Sequence, residues 1–489
     1  MNTNTNQDIK LPEAFKNRMK ELMGNEYDSF IKSYTKSKSY GLRINPLKFS
    51  PDDIDKTGFT LTPVAWAENG FYADIEERPG KHPLHEAGAY YIQEPSAMSV
   101  VSLLDPKPGD IVLDLCAAPG GKSTQIAGCL KGRGLLVSNE IFPARARILS
   151  QNIERLGITN ALVCNESPDN MVRHFPQFFD HMVVDAPCSG EGMFRKDETA
   201  IKEWSEENIT ICSERQQMIL ECADKMLKPG GTMVYSTCTF APAEDEEMLL
   251  WFLRSHPDYS VADWKKSELP LDAGLDSGRC DFISDEYLPL TDEEKSSIEG
   301  SLRLWPHKLS GEGHYAVKLV KSNNAADEVT IKKSKKKNTA SKNILSKTES
   351  KQFFSFVSEI IKNEPDASRH YEYFGDELYM YPELLTSINK IKVLRAGLHM
   401  STRKKNRYEP AHAWAMSLKP DSVRQYIDCD KDTAIKYLRG EALNINDISP
   451  EINNMKGWVL ICYMGCSLGW GKAGNGVIKN HYPKGLRIV

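Results

Sequence analysis

Short apolar runs alternate with amphipathic segments along the middle of the chain, between residues 107 and 320. Short apolar runs are typical of buried strands, and apolar positions that recur every third or fourth residue are typical of helices. The predicted strands cover residues 111–115, 135–138, 161–163, 178–185 and 232–236, and the predicted helices include 144–156 and 208–227. This alternation predicts a doubly wound, parallel α/β sheet over residues 106–321.

The last part of this domain is predicted to complete the sheet. Residues 303–307 and 313–320 are expected to add an antiparallel hairpin. The acidic turn at residues 244–247, which follows Pro242, is expected to favour a helix N-terminus through the helix dipole.

The segment before this domain, residues 1–105, is predicted to be an N-terminal α/β RNA-binding region. It begins with helical spacing of apolar residues from Leu11 and contains a predicted strand at 39–48. Arg43, Asn45 and Lys48 are candidate RNA contacts at the end of that strand. A solvated strand end is the simpler interpretation of the same residues.

The segments after the domain differ from it and from each other. Residues 322–350 lack aromatic residues and include the basic run 332–337, so they are predicted to be a basic linker. From 351 to 489 the apolar pattern resumes, with a predicted helix near 353–361 and predicted strands at 393–399 and 457–463. Basic residues at 403–407 and 472–487 accompany Trp470 and Tyr482, a combination typical of nucleic-acid-binding modules. A structural docking domain is the alternative.

Composition limits the class of protein. A chain of 489 residues is expected to form two or three domains, and 26% charged residues with a mean hydropathy of -0.46 are typical of a soluble protein. The sequence contains no apolar run of about 18 residues, so we expect a cytoplasmic protein without a membrane span or signal peptide. The net charge of -5 argues against a uniformly basic nucleic-acid binder. Eleven cysteines without paired C-x-x-C spacing favour reduced thiols over disulfides or a zinc site.

The loop at residues 116–122 follows the first predicted strand of the sheet. A strand, a glycine turn and a helix N-terminus together present backbone N–H groups to the polar end of a ligand. A nucleoside triphosphate is disfavoured, because Cys116 stands where a P-loop has its first glycine and Pro119 lacks an N–H group. The dinucleotide fingerprint is also absent, because Gly120 and Gly121 are adjacent. S-adenosylmethionine, which carries no phosphate, fits this loop, and an ordinary βα turn is the alternative.

Acidic residues follow the next two predicted strands. Glu140 lies about 20 residues beyond the glycine turn, where such folds bind ribose hydroxyls, and is predicted to do so here. Glu166 follows the third strand. It either contacts the adenine amino group or makes no such contact, and the sequence favours neither alternative. The turn at residues 93–96 is expected to help close the cofactor pocket.

Two cysteines indicate the reaction. Cys188 and Cys238 each follow a predicted strand at the sheet edge that carries the glycine turn, and Asp185 ends the first of these strands. Two thiols and a carboxyl group beside a methyl donor favour methylation of a pyrimidine at C5. A thiolate that adds to C6 of cytosine makes C5 nucleophilic, and protonation or hydrogen bonding at N3 by a carboxyl group, for which Asp185 is the candidate, assists the addition. A base must then remove the C5 proton to release the enzyme, and the target base must leave its stack to enter the site.

Three stretches of this chain together resemble a known family. They are residues 113–124, the sequence Asp-Ala-Pro-Cys-Ser-Gly-Glu-Gly at 185–192 with Arg195 after it, and Ser-Thr-Cys-Thr-Phe at 236–240. In this order and spacing they resemble the RNA (cytosine-5) methyltransferases of the NOL1/NOP2/Sun family, from about residue 40 to residue 320. The resemblance implies a Rossmann-like class I S-adenosylmethionine-dependent methyltransferase fold. It also implies that Cys238 is the nucleophile and that Cys188 acts in product release.

The same resemblance implies which residues surround the cofactor. For S-adenosylmethionine they are Cys116, Ala117, Ala118, Pro119, Gly120, Gly121, Lys122, Glu140, Glu166 and Asp185. Asp185 is expected to face the cytosine as well, and Lys122 to orient Asp185 and the base. The family commonly has Asp where this chain has Glu166.

The C-terminal segment resembles a module of one bacterial branch of that family. Residues 457–472 and 479–487 are similar to the PUA-like RNA-binding module of the RsmF/YebU branch, so residues 351–489 are predicted to be a PUA-like domain. This resemblance implies 16S ribosomal RNA, in the 30S subunit or its precursor, as substrate and partner, and we expect a monomer.

Other functions remain open at this point. Within the same reaction class, tRNA is the alternative substrate. A non-catalytic ribosome assembly factor with this fold is an alternative function, although a pure binder needs neither thiol. A small-molecule or protein methyltransferase would need neither paired thiols nor a basic tail.

Overall fold

The protein is described by a computed structural model that covers residues 10–323, 345–364, 366–382, 384–385, 390–405, 407–448 and 455–488. None of the helices in these ranges combines the length and apolarity needed to cross a membrane. The helices are α1 (Glu13–Met23), α2 (Tyr27–Ser33), α3 (Pro83–Glu86), α4 (Ser99–Leu104), α5 (Gly121–Leu130), α6 (Pro143–Arg155), α7 (Pro168–His174), α8 (Glu198–Glu203), α9 (Glu206–Met226), α10 (Glu246–Ser255), α11 (Asp292–Glu299), α12 (Lys347–Ser358), α13 (His412–Ser417), α14 (Lys431–Leu438) and α15 (Ile445–Ile448).

The strands form four sheets. They are β1 (Gly41–Ile44), β2 (Leu61–Pro63), β3 (Gly70–Ala73), β4 (Tyr90–Ile92), β5 (Ile111–Asp114), β6 (Leu135–Asn139), β7 (Ala161–Cys164), β8 (Phe179–Asp185), β9 (Leu227–Thr237), β10 (Tyr259–Ala262), β11 (Leu275–Ser277), β12 (Leu302–Leu304), β13 (His314–Lys321), β14 (Tyr371–Phe374), β15 (Glu377–Met380), β16 (Val393–Ala396), β17 (Leu398–Lys404), β18 (Arg407–Pro410), β19 (Tyr426–Cys429), β20 (Leu443–Asn444), β21 (Gly457–Tyr463), β22 (Cys466–Gly474) and β23 (Val477–Asn480).

The largest sheet confirms the predicted α/β domain. Its order is β11-β12-β13-β9-β8-β5-β6-β7-β16, with β10 paired to β13, and the strands β5 to β9 run parallel. The predicted closing hairpin is present, because β12 and β13 pair antiparallel and β13 pairs antiparallel with β9. Strand β5 lies between β6 and β8. The chain runs from β5 to β6 and β7 on one side of it and then crosses to β8 and β9 on the other side. This switch point opens a crevice at the carboxyl ends of the strands.

Alternation of side chains along the central strands builds two cores, one on each face of the sheet. Because successive strand residues face opposite sides, neighbours in sequence belong to different cores. One core includes Val112, Leu136, Val183 and Val234, and the other includes Leu113, Val137, Met182 and Met233. Both faces are covered, as expected for parallel strands with continuous apolar runs.

The N-terminal region packs against the loops that follow β8 and β9. The ring of Phe15 in α1 lies 5.2 Å from that of Phe194, and the ring of Phe30 in α2 lies 5.3 Å from that of Phe240. Phe240 in turn stacks on the buried Trp305 at 5.3 Å. Helices α1 and α2 therefore support the predicted catalytic loops.

The sequence-based interpretation of Arg43 and Asn45 is wrong, because neither is solvated and neither is exposed to RNA. Both are buried. Arg43 donates to the side chains of Gln93 (2.9 Å) and Thr124 (2.7 Å), and Asn45 donates to two backbone carbonyls, of Gly88 and Leu156, each at 2.9 Å. The end of β1 meets α5 and α6 instead of solvent.

The N-terminal and C-terminal regions share a hydrophobic core. Buried residues of β1 and α3 pack in one cluster with buried residues of α14, β21 and β22. Lys48, the third candidate RNA contact, donates to the backbone carbonyl of Ser467 at 3.4 Å. The region that precedes the catalytic domain is thus joined to the last sheet of the chain.

The chain after residue 345 also joins the catalytic domain. Strand β16 pairs antiparallel with β7 and extends the large sheet, and Arg395 pairs with Glu154 of α6. Helix α12 begins at Lys347 with a capping box formed by Ser346 and Glu349, inside the range predicted as linker. The basic run 332–337 lies outside the described residues.

The aromatic residues proposed for the C-terminal RNA surface occupy the interior. Trp470 and Tyr482 are both buried, so neither can stack on a base. Trp470 donates its indole N–H to the carbonyl of Ala411 at 2.9 Å. The lysines Lys472, Lys479 and Lys484 remain exposed.

A buried ion cluster joins β12 to the start of α10. The Arg303 guanidinium donates to Glu246 (2.8 Å) and lies 3.0 Å from an oxygen of Asp245, and all three side chains are fully buried. Asp245 also accepts a 2.5 Å hydrogen bond from Thr237, the residue before Cys238. The predicted acidic first turn is present in α10, where Glu246 and Glu247 begin the helix, and two members of the acidic run, Asp245 and Glu246, also pair with a buried arginine.

Replacing Arg303 with Met should lower the free energy of unfolding by about 3–5 kcal/mol, because two buried carboxyl groups lose their cation. Urea unfolding measures this. The matched control is Arg254→Met, which removes an exposed pair with Glu294 and should cost about 1 kcal/mol or less. Equal costs for the two variants would contradict this assignment.

Candidate active site

The loop at residues 116–122 forms the predicted strand, turn and helix start. It leaves β5, and Gly120 adopts a φ of 117°, a conformation that favours glycine, immediately before α5. Two side chains of α6 hold its backbone: Arg145 donates to the carbonyl of Ala118 and Asn152 to that of Pro119, each at 2.8 Å. The loop is thus fixed by the neighbouring helix.

A buried acid lies beneath this loop. Asp114, at the end of β5, accepts a 2.7 Å hydrogen bond from Ser123, whose hydroxyl lies 2.8 Å from that of Ser138. Burial raises the pKa of Asp114 to about 7. Ser123 and Ser138 therefore link β5, α5 and β6 under the predicted cofactor site.

The two predicted cofactor acids lie at the ends of the next strands. Glu140, after β6, is buried; it accepts the backbone N–H of Phe142 at 2.9 Å and lies 3.5 Å from Arg145. Glu166, after β7, accepts the backbone N–H of Lys392 (2.7 Å) and the side-chain amide of Asn170 (3.0 Å). Both oxygens of Glu166 thus have protein partners, one of them beside β16. The contact of Glu140 with ribose and that of Glu166 with adenine stay predictions.

Asp185 and Lys122 form an ion pair in the crevice between β5 and β8. Lys122 Nζ lies 2.6 Å from Asp185 Oδ2, and Ser236 donates to Asp185 Oδ1 at 2.9 Å. His314 Nε2 lies 3.6 Å from the same Oδ1. Burial by itself raises the pKa of Asp185, but Lys122 and His314 outweigh it and hold this pKa below its usual range. Asp185 is therefore a carboxylate at neutral pH.

The two cysteines singled out from the sequence lie side by side. The Sγ atoms of Cys188 and Cys238 are 3.3 Å apart, and the backbone N–H of Cys238 points to Cys188 Sγ at 3.4 Å. Hydrogen bonding to Cys238, with burial, raises the pKa of Cys188 well above its ordinary value. All eleven cysteines lie among the described residues, and none forms a disulfide.

Several bonds tie the loop after β8 to the loop after β9. The backbone N–H of Gly192 donates to the carbonyl of Cys238 at 2.8 Å, and a Cβ on Gly192 would lie 2.9 Å from that oxygen. The hydroxyls of Ser189 and Thr239 are 2.7 Å apart. The separation of the two thiols therefore depends on direct contact between their loops.

Four residues of the site were missed by sequence reasoning. Glu244 accepts the N–H of Ser189 (3.0 Å) and the amide of Gln216 (2.8 Å). Glu191 accepts from Arg18 (2.5 Å), Trp204 (2.8 Å) and the N–H of Phe240 (3.1 Å). The other two are Ser236 and His314. Glu191 and Ser236 stand inside the quoted motifs, whereas no local pattern distinguishes Glu244 or His314.

Four family models match successive parts of this chain. They are the N-terminal domain of 16S rRNA methyltransferase RsmF at residues 11–95, 16S rRNA methyltransferase RsmB/F at 101–320, the RsmF rRNA methyltransferase first C-terminal domain at 355–418 and the methyltransferase RsmF PUA domain at 424–488. The chain is 32% identical to the ribosomal RNA small subunit methyltransferase F of Vibrio vulnificus, over 98% of both chains. The chain belongs to the RsmF family. The corresponding protein of Aeromonas salmonicida is 30% identical over 97% of both chains.

A solved structure supports the Rossmann-like methyltransferase fold for this RsmF family member. A methyltransferase homologue from Pyrococcus horikoshii is 29% identical and matches with a TM-score of 0.53, over 64% of this chain and 96% of that chain. The Rossmann-like methyltransferase fold is thus confirmed. The segment predicted as one PUA-like domain matches two RsmF models, the second of which covers the sheet of β19 to β23.

The buried Glu244 generates a prediction on pH dependence. Burial raises the pKa of Glu244 to about 7, so the folded protein holds a proton that the unfolded chain releases. Its contribution is present at low pH and is lost as pH rises through 7. Between about pH 5 and pH 8, the unfolding free energy of the unsubstituted protein should fall by about 2–3 kcal/mol more than that of Glu244→Gln.

Denaturant unfolding at several pH values measures this difference. The matched control is Glu293→Gln, on the exposed first turn of α11, which should leave the slope of stability against pH unchanged. Parallel curves for Glu244→Gln and the unsubstituted protein would show that Glu244 is not protonated in the folded state.

Proposed function

We propose that this protein transfers a methyl group from S-adenosylmethionine to C5 of a cytosine in 16S ribosomal RNA, through a covalent bond between Cys238 and C6. The observation that carries the proposal is the pair of thiols 3.3 Å apart beside the Lys122–Asp185 ion pair. A methyltransferase that acts on an amine or a hydroxyl needs no thiol nucleophile. Addition to C6 and later elimination require a nucleophile and a base, and the adjacent thiols of Cys238 and Cys188 are candidates for these two roles.

The residues around the loop after β5 fit S-adenosylmethionine. The buried carboxylate of Glu140 at the end of β6 suits ribose hydroxyls, and Pro119 removes an N–H group that a phosphate would use. Residues 116–122 would hold the methionine part and Glu140 the ribose. Bound there, S-adenosylmethionine supplies an electrophilic methyl group.

The charge state of Asp185 defines how the base is activated. As a carboxylate, it accepts a hydrogen bond from the 4-amino group of cytosine and cannot protonate N3. Lys122 carries three N–H donors, of which one meets Asp185. When Cys238 adds to C6, negative charge develops on the N3 side of the ring, and the Lys122 ammonium stabilises it.

The coupling between the thiols orders the two halves of the reaction. While Cys238 is free, its interaction with Cys188 raises the pKa of the Cys188 thiol. Once Cys238 is bonded to C6, that interaction is lost and the pKa of Cys188 falls. After C5 has taken the methyl group and Cys188 has released its own proton to solvent, the Cys188 thiolate takes the proton from C5. The electrons of that C–H bond re-form the C5–C6 double bond, and the bond between C6 and Cys238 breaks with return of its electrons to the Cys238 sulfur.

The exposed lysines of the last sheet support an RNA substrate. Lys472 in β22, Lys479 in β23 and Lys484 after β23 are exposed, and all three lie within the residues matched by the PUA model. The relatives are named for the small ribosomal subunit RNA. The lysines suit the phosphates of any RNA, and it is the names of the matched families and relatives that favour 16S ribosomal RNA over tRNA.

Cys238→Ala should abolish methyl transfer, and Cys188→Ala should accumulate a covalent complex of protein and RNA, because only the release step is blocked. Incorporation of a labelled methyl group from S-adenosylmethionine into 16S rRNA measures the first effect, and denaturing gel electrophoresis of the same mixtures measures the second. Cys280→Ala is the matched control, since Cys280 lies on the α11 side of the domain and contacts the carbonyl of Lys295. Full activity of Cys238→Ala would refute the assignment of the nucleophile.

The substrate is tested by bisulfite sequencing of rRNA and tRNA from cells with and without this protein. We expect at least one 16S cytosine to lose its protection when the gene is deleted, with tRNA unchanged. Lost protection in tRNA alone would establish the alternative substrate. A strain with Cys238→Ala that keeps normal ribosome assembly but lacks the mark separates catalysis from an assembly role.

A further inference from the structure

His314 is a buried histidine whose ring reaches into the catalytic crevice. Its side chain is 3% exposed, and Nε2 lies 3.6 Å from Oδ1 of Asp185. Among the described residues, Nε2 has no hydrogen-bond partner. Buried polar atoms are nearly always paired, so an unpaired one beside a functional carboxylate requires an explanation.

The sheet fixes where this ring can go. His314 is the first residue of β13, and the next two residues pair with the strand that leads to Cys238: Tyr315 lies opposite Thr237 and Ala316 opposite Ser236. The strand start is close to the loop after β9, because a Cβ on Gly313 would lie 2.4 Å from the ring of Phe240. His314 is therefore placed next to the site by pairing and by a tight glycine contact.

Asp185 already has one firm partner on each oxygen. Ser236 donates to Oδ1 at 2.9 Å, and Lys122 lies 2.6 Å from Oδ2. A separation of 3.6 Å is too long for a hydrogen bond, yet a shift of less than about 1 Å would form one. Catalytic hydrogen bonds are often long without substrate and tighten in the complex.

We propose that His314 is a positioning residue that donates from Nε2 to Asp185 when cytosine is bound. The inference rests on the proposed cytosine chemistry. Charge that develops on the ring draws the Lys122 ammonium away from Asp185 and toward N3. A donor from His314 keeps the carboxylate oriented toward the 4-amino group during that shift, so His314 acts on the rate of C6 addition and not on the binding of either substrate.

The test measures the rate constant of covalent complex formation in the Cys188→Ala protein, at saturating 16S rRNA and S-adenosylmethionine. His314→Phe keeps an aromatic ring without a donor, and we expect it to slow complex formation by about tenfold or more. His314→Gln places an amide N–H near the position of Nε2, and we expect it to recover most of the rate. Half-saturating concentrations of both substrates should change by less than about twofold.

The control is Tyr315→Phe, a change at the next residue of β13, whose side chain packs in the core on the opposite face of the sheet. It should leave the rate constant unchanged. Equal rates for His314→Phe and the Cys188→Ala parent would overturn the proposal, as would a His314→Gln rate as low as that of His314→Phe. A change in half-saturation with an unchanged rate constant would also overturn it. If the parent forms no covalent complex at all, the cytosine mechanism itself is refuted, and this inference with it.

Discussion

The parallel pairing of β8 with β9 is the constraint on which the site depends. In their register Asp185 lies opposite Ser236. Cys188 follows Asp185 by three residues and Cys238 follows Ser236 by two, so both thiols leave the same edge of the sheet together. Each strand packs one of its faces in one core and its other face in the other core. A shift of one residue in the register would therefore turn the side chains of a strand toward the wrong core and would separate the thiols. The packing of the two apolar cores therefore fixes the strand register, and with it the positions of Asp185 and the two thiols at the edge of the sheet.

Charged side chains that are partly or fully buried in the catalytic domain lie beside groups of opposite charge. Asp185 is opposed by Lys122, and Arg303 is opposed by Asp245 and Glu246. An isolated buried charge would cost several kcal/mol, so each of these groups requires its partner. Arg303 does not touch the thiols, but Asp245 accepts a hydrogen bond from Thr237 and so connects the ion cluster to the loop that carries Cys238.

The regions that precede and follow the catalytic domain in sequence pack against it. Helices α1 and α2 pack their aromatic rings on the loops after β8 and β9, and β16 extends the sheet beside β7. The backbone of Lys392, just before β16, donates to Glu166 at the predicted adenine end of the cofactor site. The first and last sheets of the chain share one core. The C-terminal sheet is thus joined to the catalytic sheet through packed elements.

The sequence by itself determined the five parallel strands, the closing hairpin, the glycine turn, and the positions of Asp185, Cys188 and Cys238 at strand ends. These are local features, since apolar runs and strand-ending loops are determined within a few residues. Only the tertiary structure decided that Arg43 and Asn45 are buried, that Trp470 and Tyr482 belong to the core, that β16 joins the large sheet, and that His314 and Glu244 reach the site. Each of these depends on a contact between residues far apart in sequence. The burial of a polar group depends on what packs over it, and no local pattern records that partner.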